Sequence, residues 1–230
     1  MVSVCMATYY GAKYIKEQVG SILSQLGEND ELVVSDDGSK DKTLDILRSF
    51  NDVRIKIYEN RSKHGVVPNF ENALKMASGD IIMFSDQDDI WRSDKIQVIK
   101  QDLKKSDFVV HNAWLINSEG VPLEKDYFSI RKTKLGYCYN LYKMSFLGCC
   151  MAFKKDCLKD ILPFPTGILW HDMWSAAILN KKYKGYIENE CLLYYRRHGE
   201  NASPSGEKRT YSRIFQLKYR WTMLYNSLFR

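Results

Sequence analysis

An open α/β fold, with a mostly parallel sheet and helices on both of its faces, is what this sequence predicts. Three observations predict it. Short apolar runs alternate with stretches of helical periodicity from Val2 to His111, in the order β-α-β-α-β-α-β-α-β. That alternation is the pattern of parallel strands joined by crossover helices. Three of the apolar runs end in polar or acidic residues, at Thr8-Tyr9, Asp36-Asp37 and Asp86 to Asp89, and sheets of this kind bind ligands outside the carboxyl ends of their strands. Finally, the 230 residues are 45% hydrophobic and 27% charged, enough to bury an ordinary core in one large domain or two small ones.

Taken in order, Val2 to Ala7 reads as a buried strand and Thr8-Tyr9-Tyr10-Gly11 as a turn. Ile15, Val19, Ile22, Leu23 and Leu26 then share one helical face, and Gly27 is suited to a left-handed cap behind them. Glu31 to Ser35 is the second strand, Thr43 to Phe50 a short helix, and Val53 to Tyr58 an alternating third strand. Asn69 caps a helix whose inner face is Phe70, Ala73, Leu74 and Ala77. Ser78-Gly79-Asp80 turns into Ile81 to Phe84, the strand that feeds the acidic cluster. Ser93 is placed to cap a helix from Asp94 to about Lys104, and Asp107 to His111 is the next strand. Ala113 to Asn117, the Ser118-Glu119-Gly120 turn and Val121 read as strand and hairpin. Lys125 to Lys143 has no assignable period and reads as a binding loop. Phe146 to Phe153 reads as a buried strand, Ile161 to Pro165 as the end of a short helix, and Asp172 to Asn180 as a helix packed through Trp174, Ala177 and Ile178. Gly185 to Asn189 and Leu192 to Tyr195 are strands. From Thr210 to Arg230 a helical stripe carries Ile214, Leu217, Trp221, Leu224, Tyr225 and Leu228.

Composition excludes several classes of function. Net charge is +6, but residues 207–230 hold six Lys/Arg and one Glu, so the body is close to neutral. No nucleic-acid partner is expected of a body without a continuous basic surface. The longest apolar-rich run, Met144 to Phe153, is bracketed by Lys143 and Lys154 and is far too short to span a membrane. Val2 to Ala7 lacks the length and basic start of a leader, so none is expected. The six cysteines form no Cys-x-x-Cys pair and read as reduced, mostly buried thiols of a cytoplasmic protein. Neither a Gly-x-Gly-x-x-Gly fingerprint nor a Gly-Lys-Ser/Thr loop is present. The phosphates of any bound nucleotide would therefore rest on a metal.

Met83 to Trp91 is the stretch around which the chemistry gathers. An apolar strand delivers Asp86, Asp88 and Asp89 within four positions. A hard divalent cation with oxygen ligands is their natural partner; a solvated acidic turn capping the next helix is the plainer reading. Asp36 and Asp37 follow a buried strand directly, which is costly unless they meet a partner; the plainer reading is a turn with a cap at Ser39 or Asp41. Asn60, Arg61, Lys63 and His64 either place a cation near phosphate or form an ordinary basic loop. His64 and His111 are otherwise read as structural. A further reading of the whole is a non-catalytic nucleotide- or Ca²⁺-binding module that docks to a membrane or partner.

The ordered set Ser3-Val4-Cys5-Met6-Ala7-Thr8-Tyr9, Val33-Val34-Ser35-Asp36-Asp37-Gly38-Ser39-Lys40-Asp41 and Gly79-Asp80-Ile81-Ile82-Met83-Phe84-Ser85-Asp86-Gln87-Asp88-Asp89 resembles family 2 glycosyltransferases, over about residues 2 to 203. The Asp86-Gln87-Asp88-Asp89-Ile90-Trp91 wording resembles the rhamnosyltransferase-like branch of bacterial surface-polysaccharide enzymes. The resemblance implies a GT-A fold, Rossmann-like, with a smaller acceptor-side subregion. It implies one catalytic domain over 1–206, with a nucleotide-sugar half at 1–111 and an acceptor half at 112–206, followed by a basic amphipathic helix over 207–230. It further implies inverting transfer of a sugar from a UDP- or dTDP-linked donor to a saccharide or lipid-linked saccharide, at the inner face of the cell membrane.

By the same resemblance Ala7 and Tyr9 flank the base of the nucleotide and Asp37 accepts from its N3–H. Asp86 and Asp88 hold a divalent metal, Mn²⁺ or Mg²⁺, on the diphosphate. Pro often stands in the family where this chain has Ala7, and Asn where it has Tyr10. Phe146 to Phe153, with Gly148, matches the strand under the acceptor site. Asp172 in Trp170-His171-Asp172-Met173-Trp174 matches the general base, with His171 where an acid is usual. An inverting transfer needs such a base to take the proton of the acceptor hydroxyl; Asp172 would also suit a helix N-terminus as a simple cap. Tyr195-Arg196-Arg197-His198-Gly199-Glu200-Asn201 matches a segment of the branch, in which His198 would ligate the metal or touch phosphate and Arg196 or Arg197 would pair with the diphosphate; a basic loop is the plainer reading. For 210–230 two readings stand: peripheral contact with an anionic membrane, or packing on the body or another subunit.

Overall fold

The computed structural model describes residues 1–61, 63–198 and 212–230. Four parallel strands form one side of the sheet: β1 (Val2–Thr8), β2 (Glu31–Asp36), β3 (Ile55–Glu59) and β4 (Ile81–Ser85), in the spatial order β3-β2-β1-β4. The crossovers are α1 (Ile15–Leu23), α2 (Thr43–Ser49) and α3 (Val66–Met76). Successive residues of a strand point to opposite faces; β1, β2 and β4 are apolar on both, whereas the edge strand β3 alternates, with Lys56 and Glu59 exposed. Val4, Met6, Leu32, Val34 and Met83 join a core that includes Ile15, Val19 and Leu47 of α1 and α2. Cys5, Val33, Ile82 and Phe84 join a second core with Phe70 and Leu74 of α3. Strands buried on both faces are why the parallel region reads as continuous apolar runs rather than as alternation.

The second half adds β5 (Ile90–Trp91), α4 (Lys95–Asp102), β6 (Phe108–Ile116), β7 (Pro122–Asp126), α5 (Tyr127–Arg131), α6 (Tyr137–Lys143), β8 (Met151–Lys154), α7 (Leu158–Ile161), α8 (His171–Lys182) and β9 (Gly185–Arg196). Sheet order is β3-β2-β1-β4-β8-β6-β9-β5, with β7 paired to β6 as a hairpin. β8 lies antiparallel between β4 and β6, and β9 runs parallel to β6. The expected 111/112 division falls within β6, where its register with β9 shifts between His111 and Asn112. The expected end of the domain at 206 and the start of the tail at 207 lie outside the described residues. All six cysteines are free thiols.

Several local expectations are corrected. Phe146 to Phe153 is not one strand: Gly148–Cys150 forms a 3-10 turn and only Met151–Lys154 is extended. The Cys149 carbonyl accepts from Lys95 Nζ at 2.8 Å, a partner that draws it out of the ladder. Asn69 does not cap α3. The helix starts three residues earlier, behind Gly65 at φ 126°, and buried Asn69 donates to the Thr8 carbonyl at 3.1 Å. Gly27 lies beyond the end of α1, outside the left-handed region, where its N–H donates to Asp30 at 3.1 Å. Ser93 leaves the cap of α4 to Asp94, whose carboxylate is held by Arg92. The stretch from Lys125 to Lys143, which has no clear period, is the end of β7 plus α5 and α6.

The last helix, α9 (Arg213–Leu228), packs on α6 and α8 through Tyr219, Met223 and Ser227. The apolar stripe read from the sequence points the other way. Ile214, Leu217, Trp221, Tyr225 and Leu228 are exposed and Leu224 is half-buried. Among the described residues no helix is long and apolar enough to cross a membrane.

Candidate active site

A cleft of about 1170 Å³ opens over the carboxyl ends of β1, β2 and β4 and the first turns of α3 and α8. Ala7, Tyr9, Asp37, Asp86, Asp88, His171, Asp172 and His198 all line it. Aspartates more than 130 positions apart in the chain thus share one space. Gly148, Arg196 and Arg197 are outside the lining.

The two acids after β2 divide their work. Asp36 turns inward and closes the loop, accepting from Thr8 Oγ1 at 2.9 Å, Gly38 N–H at 3.0 Å and Ser39 N–H at 2.8 Å. Asp37 faces the cleft. Its carboxylate accepts from Asn60 Nδ2 at 2.8 Å and Gly65 N–H at 2.7 Å, and lies 3.0 Å from His64 Nδ1. His64, read from sequence as structural, is therefore a partner of a candidate site residue and itself lines the cleft. Asp41 is the local cap: it accepts from Thr43 N–H at 3.1 Å and from Ala12 N–H at 3.1 Å, tying α2 to the loop after β1.

Gln87 clasps that loop. Its Oε1 accepts from Tyr9 N–H and its Nε2 donates to Tyr9 O, both at 3.0 Å. Tyr10, beside it, is held at φ 50°. On the far side of Gln87, Asp88 Oδ2 meets His198 Nε2 at 2.7 Å, and the His198 ring lies against Tyr14. Asp89 is buried; Oδ1 accepts from Arg196 N–H at 3.0 Å, while Oδ2 has no hydrogen-bond partner among the described residues.

Arg196 corrects an expectation. It is 3% exposed, and its guanidinium is committed to the Asp88 carbonyl at 2.8 Å, the Ser118 carbonyl at 3.1 Å and Glu17 at 2.7 Å. It positions the acidic loop and does not face a diphosphate. Arg197 continues the sheet, donating its N–H to Ile116 O at 2.8 Å, and does not face the cleft either. Gly199 to Ser203, the rest of that matched segment, lies outside the described residues.

The acids fit a cation. Burial, then the charges of Asp88 and Asp172, push the carboxyl of Asp86 up; burial, then Asp88 and Asp86, push that of Asp89 well above the usual carboxylate range. Asp86, Asp89 and Cys149 bring one ligand atom each within 4.8 Å of one another, while Asp88 and His198 meet as a separate pair. Carboxylates with one imidazole suit Mn²⁺ or Mg²⁺. The Asp89 oxygen without a partner lies among these crowded acids, where a cation would supply one. Beneath them Lys95 is buried over the Trp91 ring at 3.9 Å, and burial pushes its ammonium down to about 8.

Asp172 occupies the first turn of α8, opposite Asp86. Its Oδ1 accepts from its neighbour Met173 N–H at 2.7 Å. Burial pushes its carboxyl up to about 6, against backbone donors from Met173 and Gly148. His171 is buried, stacked on Phe70 at 3.6 Å and edge-on to Phe84 at 4.9 Å. Burial pushes it down to about 3, and neither ring nitrogen has a partner among the described residues. It is a neutral wedge behind Asp172. Gly148 packs directly against this turn of α8. A Cβ there would stand 2.9 Å from His171 Nε2 and 3.2 Å from Asp172 Cβ, so the close approach is made by α8 itself.

Gln87, Tyr14, Glu17, Lys95 and Cys149 were not singled out from the sequence, and Asn60 was read as placing a cation near phosphate, not as the partner of Asp37 that it is. Only Lys95 carried a signal, as a lysine placed next to the apolar face of its helix.

The family model described as "Glycosyl transferase family 2" matches residues 3–162. The dTDP-rhamnosyl transferase RfbG of Shigella flexneri is 29% identical over 239 residues, covering 94% of this chain and 80% of RfbG. The UDP-Glc:alpha-D-GlcNAc-diphosphoundecaprenol beta-1,3-glucosyltransferase WfgD of Escherichia coli is 37% identical over 123 residues, 53% of this chain and 49% of its own. Among solved structures, S. aureus TarS 1-349 with UDP-GlcNAc superposes with a TM-score of 0.74 at 21% identity, covering 98% of this chain and 66% of that one. The mannosyltransferase PcManGT of Pyrobaculum calidifontis, with GDP-Man and Mn²⁺, gives 0.69 at 22% identity, covering 98% and 64%. This chain spans about two thirds of those two solved proteins, and the likeness to them is one of fold, GT-A. The family match extends over more than half of the residues, and its span carries the polar ends of β1, β2 and β4 into the cleft: the chain belongs to glycosyl transferase family 2 and is a glycosyltransferase.

Proposed function

We propose that the chain transfers a sugar, with inversion, from a UDP- or dTDP-linked donor to a saccharide or lipid-linked saccharide in surface-polysaccharide synthesis. The observation that carries this reading is the single cleft shared by Asp37, by Asp86 and Asp88, and by Asp172. It is supported by names: RfbG is a dTDP-rhamnosyl transferase, and the acceptor in the name of WfgD is diphosphoundecaprenol-linked. A lipid-linked acceptor would bring the enzyme to the inner face of the cell membrane. In this reading residues 1–111 serve the donor and residues 112–206 the acceptor.

Ala7 and Tyr9 flank the base, and Asp37 accepts from its N3–H through a carboxylate already fixed by Asn60, His64 and Gly65. Asp86, Asp88 and His198 would hold the divalent ion, Mn²⁺ or Mg²⁺, which when bound neutralises charge on the departing diphosphate. Asp172 takes the proton of the acceptor hydroxyl as its oxygen bonds to the anomeric carbon. The bond from that carbon to the diphosphate breaks, and the nucleoside diphosphate leaves with its electron pair. Attack from the face opposite the leaving group inverts the centre.

The test is calorimetry and product analysis on two variants, with a panel of nucleotide-sugars and Mn²⁺. Asp88→Ala should lose metal-dependent donor binding. Asp172→Asn should keep donor binding and lose roughly 10²–10⁴-fold in transfer, the usual contribution of a general base. Unchanged turnover in Asp172→Asn, or a product with retained configuration, removes the assignment.

A further inference from the structure

α9 is apolar on two faces. Tyr219, Met223 and Ser227 face the body, whereas the opposite stripe is not covered by the described residues: Ile214 is 81% exposed, Leu217 64%, Trp221 67% and Leu228 61%. The spacing of 3, 4, 4 and 3 from Ile214 through Leu217, Trp221 and Tyr225 to Leu228 keeps this stripe on one side for the length of the helix. A stripe of this size needs an occupant.

Charge says which occupant. From Ser212 to Arg230 there are four Lys/Arg and no acid, and from Tyr127 to Lys155 six Lys/Arg and no acid. With ten cations there and a chain total of +6, the remaining residues are net acidic. The two acid-free segments pack together: Arg220 donates to the Tyr142 carbonyl at 2.8 Å and sits 4.6 Å over the Tyr142 ring, and Tyr137 meets Ser227. Tyr142 is itself exposed, and exposed Lys134 is tied to α6 by Asn140 Nδ2 at 2.8 Å. The result is one face, built from two segments that contain no acid, with an apolar, Trp- and Tyr-bearing ridge beside cations.

We infer that this α6–α9 face docks on an anionic lipid bilayer, with the Ile214–Leu228 ridge in the headgroup boundary and Lys218, Arg220 and Lys134 on lipid phosphates. The chemistry is that of interfacial helices, which combine apolar burial with attraction to anionic headgroups. A second copy of this chain fits less well, because two such faces would bring like charges together. Docking would also bear on the segment that leads into the cleft. The Leu169 N–H, two residues before His171, donates to the Tyr219 hydroxyl of α9 at 3.4 Å, so the approach to Asp172 leans on the docked helix. The inference extends the lipid-linked acceptor reading, but its test does not depend on transfer.

The experiment is co-sedimentation of the whole chain with phosphatidylglycerol-containing vesicles and with pure phosphatidylcholine vesicles. Wild type should pellet with the anionic vesicles only, and lose most of its binding in 0.5 M salt, roughly a tenfold or greater drop. The double variant Leu217→Ser/Trp221→Ser should bind at least tenfold more weakly, and Lys218→Glu several-fold more weakly. Both should keep wild-type circular dichroism and donor binding, because these side chains face water. Failure of wild type to pellet with anionic vesicles overturns the inference. So does a dimer in solution that the double variant dissociates, which would give the ridge to a second copy. Loss of donor binding with vesicle binding intact would sink the proposed function and leave this face standing.

Discussion

Burial holds the Asp172 carboxyl at about 6, so the residue proposed to take a proton is protonated in mild acid. Transfer should therefore rise with pH through about 6 and level off above it, which a pH–rate profile under saturating donor checks. The same shift has a stability consequence. The folded pKa lies above the unfolded one, so the contribution of this group is full below about 3.9 and is lost as pH climbs through about 6. At pH 7 its charge opposes folding, and Asp172→Asn should raise thermal stability by on the order of 1 kcal/mol while abolishing transfer. Tyr10 offers a second test. A tyrosine at φ 50° sits in a region that costs a side chain with Cβ about 1 kcal/mol, which Asn tolerates better. Tyr10→Asn should raise the melting temperature by about 2 °C, measured by calorimetry. Asp172 was singled out only through the resemblance, because locally an acid opening a helix reads as a simple cap. His64 was not, because its meaning depends on a loop folding back onto Asp37 across 27 positions.

Among the elements, the first turn of α8 and the 3-10 turn at Gly148–Cys150 are a packed pair. Gly148→Ala would push a methyl group against His171 and Asp172, and overpacking of this kind costs about 1–3 kcal/mol. We expect a lower melting temperature and at least a tenfold loss in kcat with donor affinity little changed, separable by steady-state kinetics and nucleotide titration. The sequence reading placed a strand through this turn because eight apolar residues look alike whether extended or coiled. What bends them is remote: an ammonium on α4, more than fifty positions earlier, takes the Cys149 carbonyl. The parallel strands were legible for the opposite reason. Their two-faced apolar runs and the 3.6-residue period of α1 and α3 are properties of adjacent residues.

For the molecule as a whole, the sheet order places β8 between β4 and β6, and no local pattern announces that, since the pairing of β4 with β8 joins residues about seventy positions apart. Long-range pairs of this kind also set where the fold is firm. Amides of β1, β4 and β6, buried on both faces, should exchange only on global opening. Those of α9, held by one buried stripe, should exchange sooner, as hydrogen-exchange mass spectrometry would show. Chelation provides a further check at this scale. The crowded acids of the cleft are the reason to expect that EDTA weakens donor binding tenfold or more and that added Mn²⁺ restores it, read by calorimetry.

Arg196 reaches back to Asp88, Asp89, Ser118 and Glu17 at once. It lies at the end of β9, so a nascent polypeptide can form β1 to β4 and still lack the latch that orders its acidic loop. During translation the acidic loop would gain this latch only after almost two hundred residues have left the ribosome exit tunnel. A half-made chain would thus carry its aspartates without the contact that fixes the loop between them and the sheet.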